Sequence, residues 1–598
     1  MAGEERHPQH LPAGERSSLL RRASVSSTQP SLGHDEAEAL LSRERDVSPT
    51  STVGSHHEWD AGQWKKNLVL LLGVFLVNSD SAILLAMFRP IASDFDRLSS
   101  ASWIITAYIL GLISAQPLYG KLSDIYGRKP LLLIAYACYC VGGLLAGSGF
   151  SFWGMLLGRG ICGIGNAGIT VLISTLIVDL VPIRDVAVWR GYVYAINQVG
   201  RAVGPSLGGL IADRADWRWA LLYQVPLNFL ALLYIWRKMT FPQPRAPIAK
   251  GVDDPSPEDC RRSKLGRIDF SGSIALALAN VSLLLFLDRL QANPDNLGRD
   301  LATMVPMSTW LGALAVFLLV EGFWAREPIM PLRLLVKRNV VSSYAVQFLQ
   351  TGAQMALYTS VPLYFRVTVG DSSTRAAIRL LVITLGTVTG GLLSGFAIKR
   401  TGLYRLVTII SIVLSNLSFL AIFARWRGGT GWAETLYGFP IGLGFGVSLS
   451  AAFIGLTAGL ESAQVAVGTS GFYMCLNLGS LFGVSAASML ISTFVERTLR
   501  RSLADLPDVD KIVHDVTSNF ERINELPGWI AEVVLRAYTK SFVNVWLFSL
   551  VFGCLALLAS LIMREGQLDG EGCSRRSRQS RPSGQGYSTF QQDDTREV

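Results

Sequence analysis

The sequence predicts an all-α integral membrane protein with fourteen transmembrane helices. Half of its 598 residues are hydrophobic, and they lie in long blocks that are separated by short polar connections. A helix needs about 20 apolar residues to cross a hydrocarbon layer roughly 30 Å thick. Blocks of about this length occur at residues 67–89, 101–120, 130–149, 153–180, 191–212, 217–236, 268–287, 304–324, 340–365, 376–398, 404–424, 432–455, 469–494 and 540–563.

The lysines indicate how these blocks are oriented, because cytosolic connections carry an excess of basic residues. Lys65 and Lys66 precede the first block, and most other lysines fall in even-numbered connections. Lys511 and Lys540, in the long thirteenth connection, fall on the other side. Both termini are therefore expected in the cytosol.

Charge and cysteine usage exclude several classes of protein. The formal net charge is +9, but the basic residues are scattered through loops and tails and form no stripe for nucleic acid. The seven cysteines lie mostly inside blocks and show neither metal-ligand spacing nor a disulfide framework. No Walker motif is present, which argues against an ATP-driven pump. We expect no metal, no other cofactor and no nucleic-acid partner.

One connection carries a specific motif. Residues 120–130 read Gly-Lys-Leu-Ser-Asp-Ile-Tyr-Gly-Arg-Lys-Pro, in which two glycines allow a tight turn and an acid can pair with a base. The simplest reading is a charged turn between helices. The motif residues are Gly120, Asp124, Gly127, Arg128 and Lys129.

The pattern G-x-L-x-D-x-x-G-R-K resembles the signature loop between the second and third spans of the major facilitator superfamily. The preceding residues, 102–108 and 116–119, are similar to those of its fourteen-span drug:proton antiporter branch, in particular the fungal vacuolar basic amino acid transporters. The resemblance covers about residues 65–565. It implies that the protein is a transporter and no enzyme.

The resemblance implies a major facilitator fold with two six-helix halves plus two extra central spans. Parallel halves of this kind bind substrate at their interface near the bilayer midplane. We expect the first half at 65–236, a basic cytosolic loop and the extra spans at 237–339, and the second half at 340–563. A long luminal loop is expected at 495–539. The connection 395–405 repeats the glycines and basic residues of the first motif.

Three ionisable residues are expected at bilayer depth: Asp80, Arg159 and Arg201. Each costs at least about 2.5–3.5 kcal/mol there and therefore needs a partner or a function. Arg159 resembles the span-four arginine that the superfamily implicates in proton coupling, and Asp80 resembles the first-span aspartate of the branch. The alternatives are an Arg159 that snorkels at a helix end and an Asp80 that bonds Asn78 or Ser81.

Two further motifs follow from the resemblance. The antiporter motif of span five supports proton-driven exchange and matches Gly200, Gly204, Pro205, Gly208 and Gly209. A cytosolic gate cluster would join Asp124, Arg128 and Lys129 to Asp179, Arg184 and Arg190.

Two polar stripes at helical spacing are expected to line the pathway. They comprise Gln347, Gln350, Thr351, Gln354 and Tyr358 in span nine, and Ser470, Tyr473, Asn477 and Ser480 in span thirteen. Hydrogen bonding between helices, worth about 0.6 kcal/mol a pair, is the alternative.

These patterns lead to an expected function. The protein would be a proton-coupled antiporter, a monomer in the lipid bilayer, that moves small organic cations from the cytosol into the vacuole. The resemblance implies that basic amino acids are its substrates. A plasma-membrane exporter of drugs or secondary metabolites is the alternative, and a non-transporting nutrient receptor is a third. Such a receptor would need no coupling carboxylate.

The polar tails at 1–64 and 564–598 are expected to be disordered and cytosolic. The first contains two acids, each four residues before a Leu-Leu pair. This pattern resembles the acidic dileucine signal that sorting adaptors read for delivery to vacuoles. The two copies comprise Glu15, Leu19 and Leu20, and Glu36, Leu40 and Leu41.

We predict that alanine at Leu19, Leu20, Leu40 and Leu41 redirects the protein to the cell surface, because the adaptor loses both of its apolar contacts. Fluorescence microscopy of tagged protein measures the change. Variants that lack only one pair are the controls and should keep partial sorting. Unchanged targeting of the fourfold variant would contradict the sorting role.

Overall fold

A computed structural model describes residues 61–97, 100–181, 183–239, 269–292, 300–324, 333–461, 464–503, 512–513, 516 and 527–565. The chain divides into two compact units, Met1–Trp64 and Lys65–Val598. All contacts discussed below belong to the second unit. Both dileucine pairs, and the second tail beyond Glu565, lie outside the described residues.

The described residues form helices almost throughout, and each apolar block overlaps one helix. Helices are expected in a bilayer because they satisfy every backbone polar group internally. In chain order they are α1 Ala61–Asp94, α2 Ser102–Tyr126, α3 Arg128–Ser148, α4 Phe152–Leu180, α5 Ile183–Arg214, α6 Trp217–Lys238, α7 Phe270–Ala292, α8 Leu301–Trp324, α9 Arg338–Thr368, α10 Ser373–Thr401, α11 Tyr404–Arg425, α12 Trp432–Ala458, α13 Val465–Ser502 and α14 Gly528–Ile562.

Eleven of the described helices are long and apolar enough to cross a membrane. The other three, α1, α5 and α9, are 34, 32 and 31 residues long. Helix α1 contains the shorter apolar stretch Leu68–Leu84, and α5 and α9 carry charged and amide residues along their length. The count of fourteen spans therefore stays a prediction, while the all-helical membrane architecture is confirmed.

Local signals set several helix ends. The Ser151 hydroxyl accepts a hydrogen bond from the Gly154 amide at 3.0 Å and caps α4. Ser372 caps α10 in the same way through the Arg375 amide, and Asp300 caps α8. Gly127 separates α2 from α3 with a φ of 92°, a conformation that glycine adopts without steric cost.

Glycines bring equivalent helix pairs of the two halves into backbone contact. In the first half, a Cβ at Gly163 of α4 would overlap the Tyr108 carbonyl of α2. In the second half, a Cβ at Gly442 or Gly446 of α12 would overlap the Ile383 or Thr387 carbonyl of α10. Small residues at such crossings allow close packing without side chains between the helices. The same packing thus recurs in both halves.

The two halves contact each other on one side of the molecule, at the helix ends near residues 120–130. A Cβ at Gly120 would lie 2.6 Å from the Ser470 hydroxyl of α13. On the neighbouring crossing, a Cβ at Gly191 of α5 would lie 2.7 Å from the Gly391 carbonyl of α10. The Lys399 ammonium also lies 2.6 Å from the Asp185 carboxylate. This end of the interface is therefore closed by direct contact.

Helices α7 and α8, which fall in the expected central segment, pack on each other and beside both halves. Ala275, Leu276 and Phe317 form an apolar cluster with Met474 of α13. Helix α7 also contacts α2. Farther along the chain, α13 continues to Ser502 and α14 begins at Gly528. Both helices thus extend into the segment 495–539.

We predict that alanine at Gly442 destabilises the protein by about 1–3 kcal/mol, because its Cβ needs space that the Ile383 carbonyl occupies. The measurement is thermal unfolding of detergent-solubilised protein. Gly312 of α8 is the matched control, since a Cβ there meets nothing within 4 Å. The control variant should be unchanged or slightly stabilised through helix propensity. Equal unfolding temperatures for both variants would contradict the packing argument.

Candidate functional site

A buried ion pair joins α1 to α4 in the first half. The Arg159 Nη1 atom lies 2.9 Å and 3.1 Å from the two carboxylate oxygens of Asp80. Asp80 is 3% exposed and Arg159 is 1% exposed. The structure thus brings together two residues that are 79 positions apart, and both are enclosed by protein.

Helix α6 adds a third polar group to this pair. The Gln224 side-chain amide donates to an Asp80 oxygen at 3.1 Å, and its carbonyl accepts a hydrogen bond from the Tyr139 hydroxyl at 3.3 Å. Gln224 follows Tyr223, where the helical hydrogen bonding of α6 is interrupted. The sequence pattern did not reveal Gln224, although an amide inside an apolar block was an available signal.

An aromatic side chain covers the cation. The Arg159 guanidinium carbon lies 4.7 Å from the centre of the Tyr108 ring. The Tyr108 hydroxyl accepts hydrogen bonds from Ser81 at 2.9 Å and from Asn166 at 2.5 Å. Such cation–π contacts are stronger where the cation is desolvated. Tyr108 therefore holds Arg159 in place beside Asp80.

This geometry disagrees with the two alternative interpretations, an Arg159 that snorkels to the interface and an Asp80 that bonds Asn78 or Ser81. Arg159 does not reach an aqueous interface, because its side chain is fully enclosed. Asn78 bonds the Val74 carbonyl, and Ser81 bonds Val77 and Tyr108. The hydrogen bonds of Asp80 therefore come from Arg159 and Gln224.

The span-five motif seats α1 against α5 beside this pair. A Cβ at Gly200 would lie 2.7 Å from the Phe75 carbonyl, and a Cβ at Gly204 would lie 2.6 Å from the Ser79 carbonyl. Gly208 faces Ile83 in the same way, whereas Gly209 faces open space. Pro205 lies inside the helix. Three glycines of the motif thus line the contact that places residues 79 and 80.

Arg218 fixes the far ends of the two helices that supply Asp80 and Gln224. Its guanidinium donates to Asp94 of α1 at 3.0 Å and to Asp216, just before α6, at 2.7 Å. The hydrogen bond from Arg218 lowers the pKa of the Asp216 carboxyl below its ordinary value. Helices α1 and α6 are therefore tied at their ends as well as through the buried site.

The motif residues at 120–130 form an ion-pair cluster within the first half. Arg128 lies 2.6 Å from Asp124 and 3.1 Å from Asp179. Lys129 instead donates to the Trp236 carbonyl at 2.9 Å. The cluster links α2, α3 and α4. Of the other expected gate residues, the Arg184 side chain lies outside the described residues.

Arg190 lies apart from this cluster, between the two halves. It donates to the Ser174 hydroxyl of α4 at 3.0 Å and to the Tyr473 hydroxyl of α13 at 2.6 Å. A second polar contact crosses the same interface, because Asn477 donates to the Gln116 side chain at 3.0 Å. Tyr473 and Asn477 thus join the halves in this state.

The polar stripe of α9 is almost fully buried. Gln347 donates to Thr351 on its own helix at 2.7 Å, and the Tyr358 hydroxyl bonds Thr384 of α10 at 2.9 Å. The side-chain amides of Gln350 and Gln354 find no hydrogen-bond partner among the described residues. Hydrogen bonding between helices therefore does not account for these two amides in the described state.

Arg201 of α5 is exposed, unlike Arg159. The structure therefore separates the three expected intramembrane charges: Asp80 and Arg159 form a closed pair, whereas Arg201 is exposed.

A second buried ion pair lies in the second half and was not found from the sequence. Arg379 of α10 lies 2.6 Å from Asp371, and its guanidinium packs between the rings of Phe365 and Trp432. It also donates to the Thr435 hydroxyl at 2.8 Å. Arg379 stands inside the block 376–398, so the list of intramembrane charges was incomplete. The pair ties the start of α10 to the start of α12.

Within the described part of the chain, no group of His, Cys, Asp or Glu side chains could hold a metal ion. The buried centre of the first half combines the Asp80 carboxylate and the Arg159 guanidinium with the neutral Gln224 amide and Tyr108 hydroxyl. A buried ion pair inside a helical membrane domain that is built of two similarly packed halves is typical of a secondary transporter.

Comparisons with known proteins agree with this class. The Major Facilitator Superfamily pattern matches residues 70–484, and the chain belongs to this family. A vacuolar membrane amino acid uptake transporter of Schizosaccharomyces pombe, fnx2, is 29% identical over 576 residues, which cover 93% of this chain and 97% of that protein.

Other similar proteins carry different names. The multidrug resistance protein fnx1 of the same yeast is 28% identical over 504 residues, 83% of this chain and 91% of its own. An efflux pump of Dothistroma septosporum, dotC, is 26% identical and covers 84% of each chain. The solved structure of the proton:xylose symporter XylE has a TM-score of 0.51 at 16% identity, over 84% of this chain and 98% of its own. The expected fold class is thereby confirmed, and the chain is a multi-pass membrane transporter.

We predict that glutamine at Arg379 destabilises the protein by about 3 kcal/mol, because it leaves the buried Asp371 charge to the exposed Arg375, 3.8 Å away. Thermal unfolding in detergent measures the loss. The control is glutamine at Arg536, whose ion pair with Glu532 is 74% and 62% exposed and which should change stability little. Similar unfolding temperatures for the two variants would contradict a stabilising role for the buried pair.

Proposed function

We propose that the protein is a proton-coupled antiporter that moves basic amino acids from the cytosol into the vacuole. The observation that carries the proposal is the enclosed pair of Asp80 and Arg159. An ionisable group at bilayer depth is energetically costly, and where one occurs it typically serves substrate transport or a proton relay. The similarity to the vacuolar amino acid uptake transporter fnx2 supports the substrate class and the membrane.

The pair offers a direct means of coupling. In the described state, Arg159 occupies both oxygens of Asp80. A proton that binds Asp80 forms an O–H bond on one of these oxygens and removes the negative charge that holds Arg159. Proton binding and the ion pair therefore exclude each other, so each protonation state favours its own arrangement of α1 and α4.

Gln224 can serve Asp80 in both protonation states. Its amide donates to the ionised carboxylate, and an amide also carries a carbonyl that accepts a hydrogen bond from a protonated carboxyl. In the described state that carbonyl is occupied by Tyr139. Exchange of these partners keeps Asp80 satisfied while Arg159 moves away.

Direction follows from the proton gradient. In an acidic lumen, Asp80 is protonated when the luminal side of the interface is open, and it loses the proton when the cytosolic side is open. When the proton is released to the cytosol, the carrier is again open to the cytosol and can bind substrate. The substrate then enters the lumen when the carrier reopens on that side. The exchange thus concentrates the amino acid where protons are abundant.

Efflux of drugs or fungal metabolites at the plasma membrane is the second candidate. The similarity to the multidrug resistance protein fnx1 and the efflux pump dotC favours it. An exporter would use the same Asp80–Arg159 pair and would also be driven by a proton gradient. The two candidates therefore differ only in their substrate and in the membrane that holds the protein. A non-transporting nutrient receptor is a third candidate and would not need the protonation of Asp80.

We predict that sealed vacuolar vesicles containing the protein take up labelled arginine, lysine and histidine, and that a protonophore abolishes this uptake. The reason is that the pH gradient drives the return of the carrier. Asparagine at Asp80 should reduce gradient-driven uptake by about 100-fold or more, because the proton site is lost. The measurement is initial uptake rate per unit of protein in the vesicle membrane.

Vesicles without the protein and the Arg536→Gln variant are the controls. Protein-dependent uptake that ignores the protonophore would refute the coupling. No uptake of any of the three amino acids by folded protein would favour export of drugs or metabolites, for which a toxicity panel is the next assay. Full signalling by the asparagine variant in cells, without transport, would favour a receptor.

A further inference from the structure

Helix α5 presents two arginines and a tyrosine to the second half of the molecule. Arg190, Tyr194 and Arg201 are spaced by four and seven residues, which places them on one face of a helix. The Tyr194 ring lies 6.4 Å from the Phe445 ring of α12, so this face looks across the interface. At 1.5 Å per residue, the two arginines are about 16 Å apart along the helix.

Arg190 is enclosed without an anionic partner. It is 2% exposed, and its Nη1 atom donates to the Ser174 and Tyr473 hydroxyls. Its guanidinium carbon lies 3.8 Å from the centre of the Phe453 ring. Its Nε atom is buried and finds no acceptor among the described residues. No described carboxylate lies within ion-pair distance of Arg190.

The neighbouring acids are already engaged. Asp124 and Asp179 pair with Arg128, and Asp185 pairs with Lys399. Hydroxyl groups and aromatic faces lower the free energy of a buried cation but leave its charge in place. None of these three acids is therefore free to neutralise the positive charge of Arg190, and a bound anion could do so.

Arg190 becomes accessible when the halves separate on the side of residues 120–130. It lies five residues from Asp185, at the edge of the closed contact, and the Tyr473 hydroxyl that it binds belongs to the other half. Separation removes that acceptor and frees the donors of the guanidinium. The lysine distribution places this side in the cytosol.

We propose that Arg190 binds the carboxylate of the substrate as it enters from the cytosol. This inference deepens the proposed function and rests on it, because an amino acid carries a carboxylate that an amine or a cationic drug lacks. A guanidinium offers paired N–H donors that match a carboxylate. Arg201, exposed on the same face of α5, supplies a second cation on the route toward the other side.

The test compares compounds that differ only in the carboxylate: arginine with agmatine, lysine with cadaverine, and histidine with histamine. Thermal stabilisation of the purified full-length protein in detergent reports binding without requiring transport. The proteins are wild type, Arg190→Gln and Arg190→Lys, with Arg536→Gln as the control that removes an equal but exposed charge.

We predict that each amino acid stabilises wild type at about a tenfold lower concentration than its amine, because charge-assisted hydrogen bonds to the carboxylate are lost in the amine. Arg190→Gln should abolish this preference, Arg190→Lys should keep part of it, and Arg536→Gln should keep all of it. The comparison within wild type remains decisive even if Arg190→Gln does not fold.

Equal stabilisation by amino acids and amines, or no stabilisation by either, would overturn the role of Arg190, and so would an unchanged preference in Arg190→Gln. These outcomes are separable from failure of the proposed function. Carboxylate-dependent binding in a protein that transports no basic amino acid would refute the proposed transport and support the carboxylate site. Uptake of basic amino acids by a protein that binds the amines equally well would support the proposed transport and refute the carboxylate site.

Discussion

The free energy required to bury a charge in an apolar medium is the constraint on which the rest of this structure depends. Asp80 and Arg159 balance each other's charge, and Gln224 and Tyr108 also contact the pair. The Nε and Nη2 atoms of Arg159 find no hydrogen-bond partner among the described residues. The glycines of α5 hold α1 at the distance that this geometry needs. A buried pair is strongly destabilised when one partner is neutralised, so the packing of α1 against α4 depends on the charge of both residues.

The two halves share their packing but differ in polarity. Both use glycine to bring equivalent helices into backbone contact, as at Gly163 and Gly442. The first half buries its ion pair deep in α1 and α4, whereas the ion pair of the second half, Asp371 with Arg379, lies where α10 begins. In place of a deep charge, α9 carries neutral amides such as Gln350. The first half thus buries an ion pair in the interior of two helices, whereas the buried polar groups of α9 are neutral.

Sequence patterns predicted the helices and their order well. An apolar block is a local property of the sequence, and its length and composition alone favour a helix that crosses the bilayer. They also identified Asp80 and Arg159, since a charge inside an apolar block is conspicuous. They did not reveal that Gln224 completes the site or that Arg379 pairs with Asp371. Those contacts depend on how distant helices cross, and a single amide or a charge near the end of a block carries no signal of its partner. Arg190 was grouped with the nearest acids along the chain, whereas its contacts come from α4, α12 and α13.

The contact between the halves is suited to opening because its polar links are individually weak. Arg190 with Tyr473 and Gln116 with Asn477 are hydrogen bonds across the interface, each worth about 0.6 kcal/mol in a membrane protein. The pair of Asp185 with half-exposed Lys399 contributes at most about 1 kcal/mol. Reversal of a two-state equilibrium from 1:99 to 99:1 takes about 5.5 kcal/mol. These links sum to less than that, so the polar contacts across this end of the interface do not by themselves hold the two halves in one arrangement.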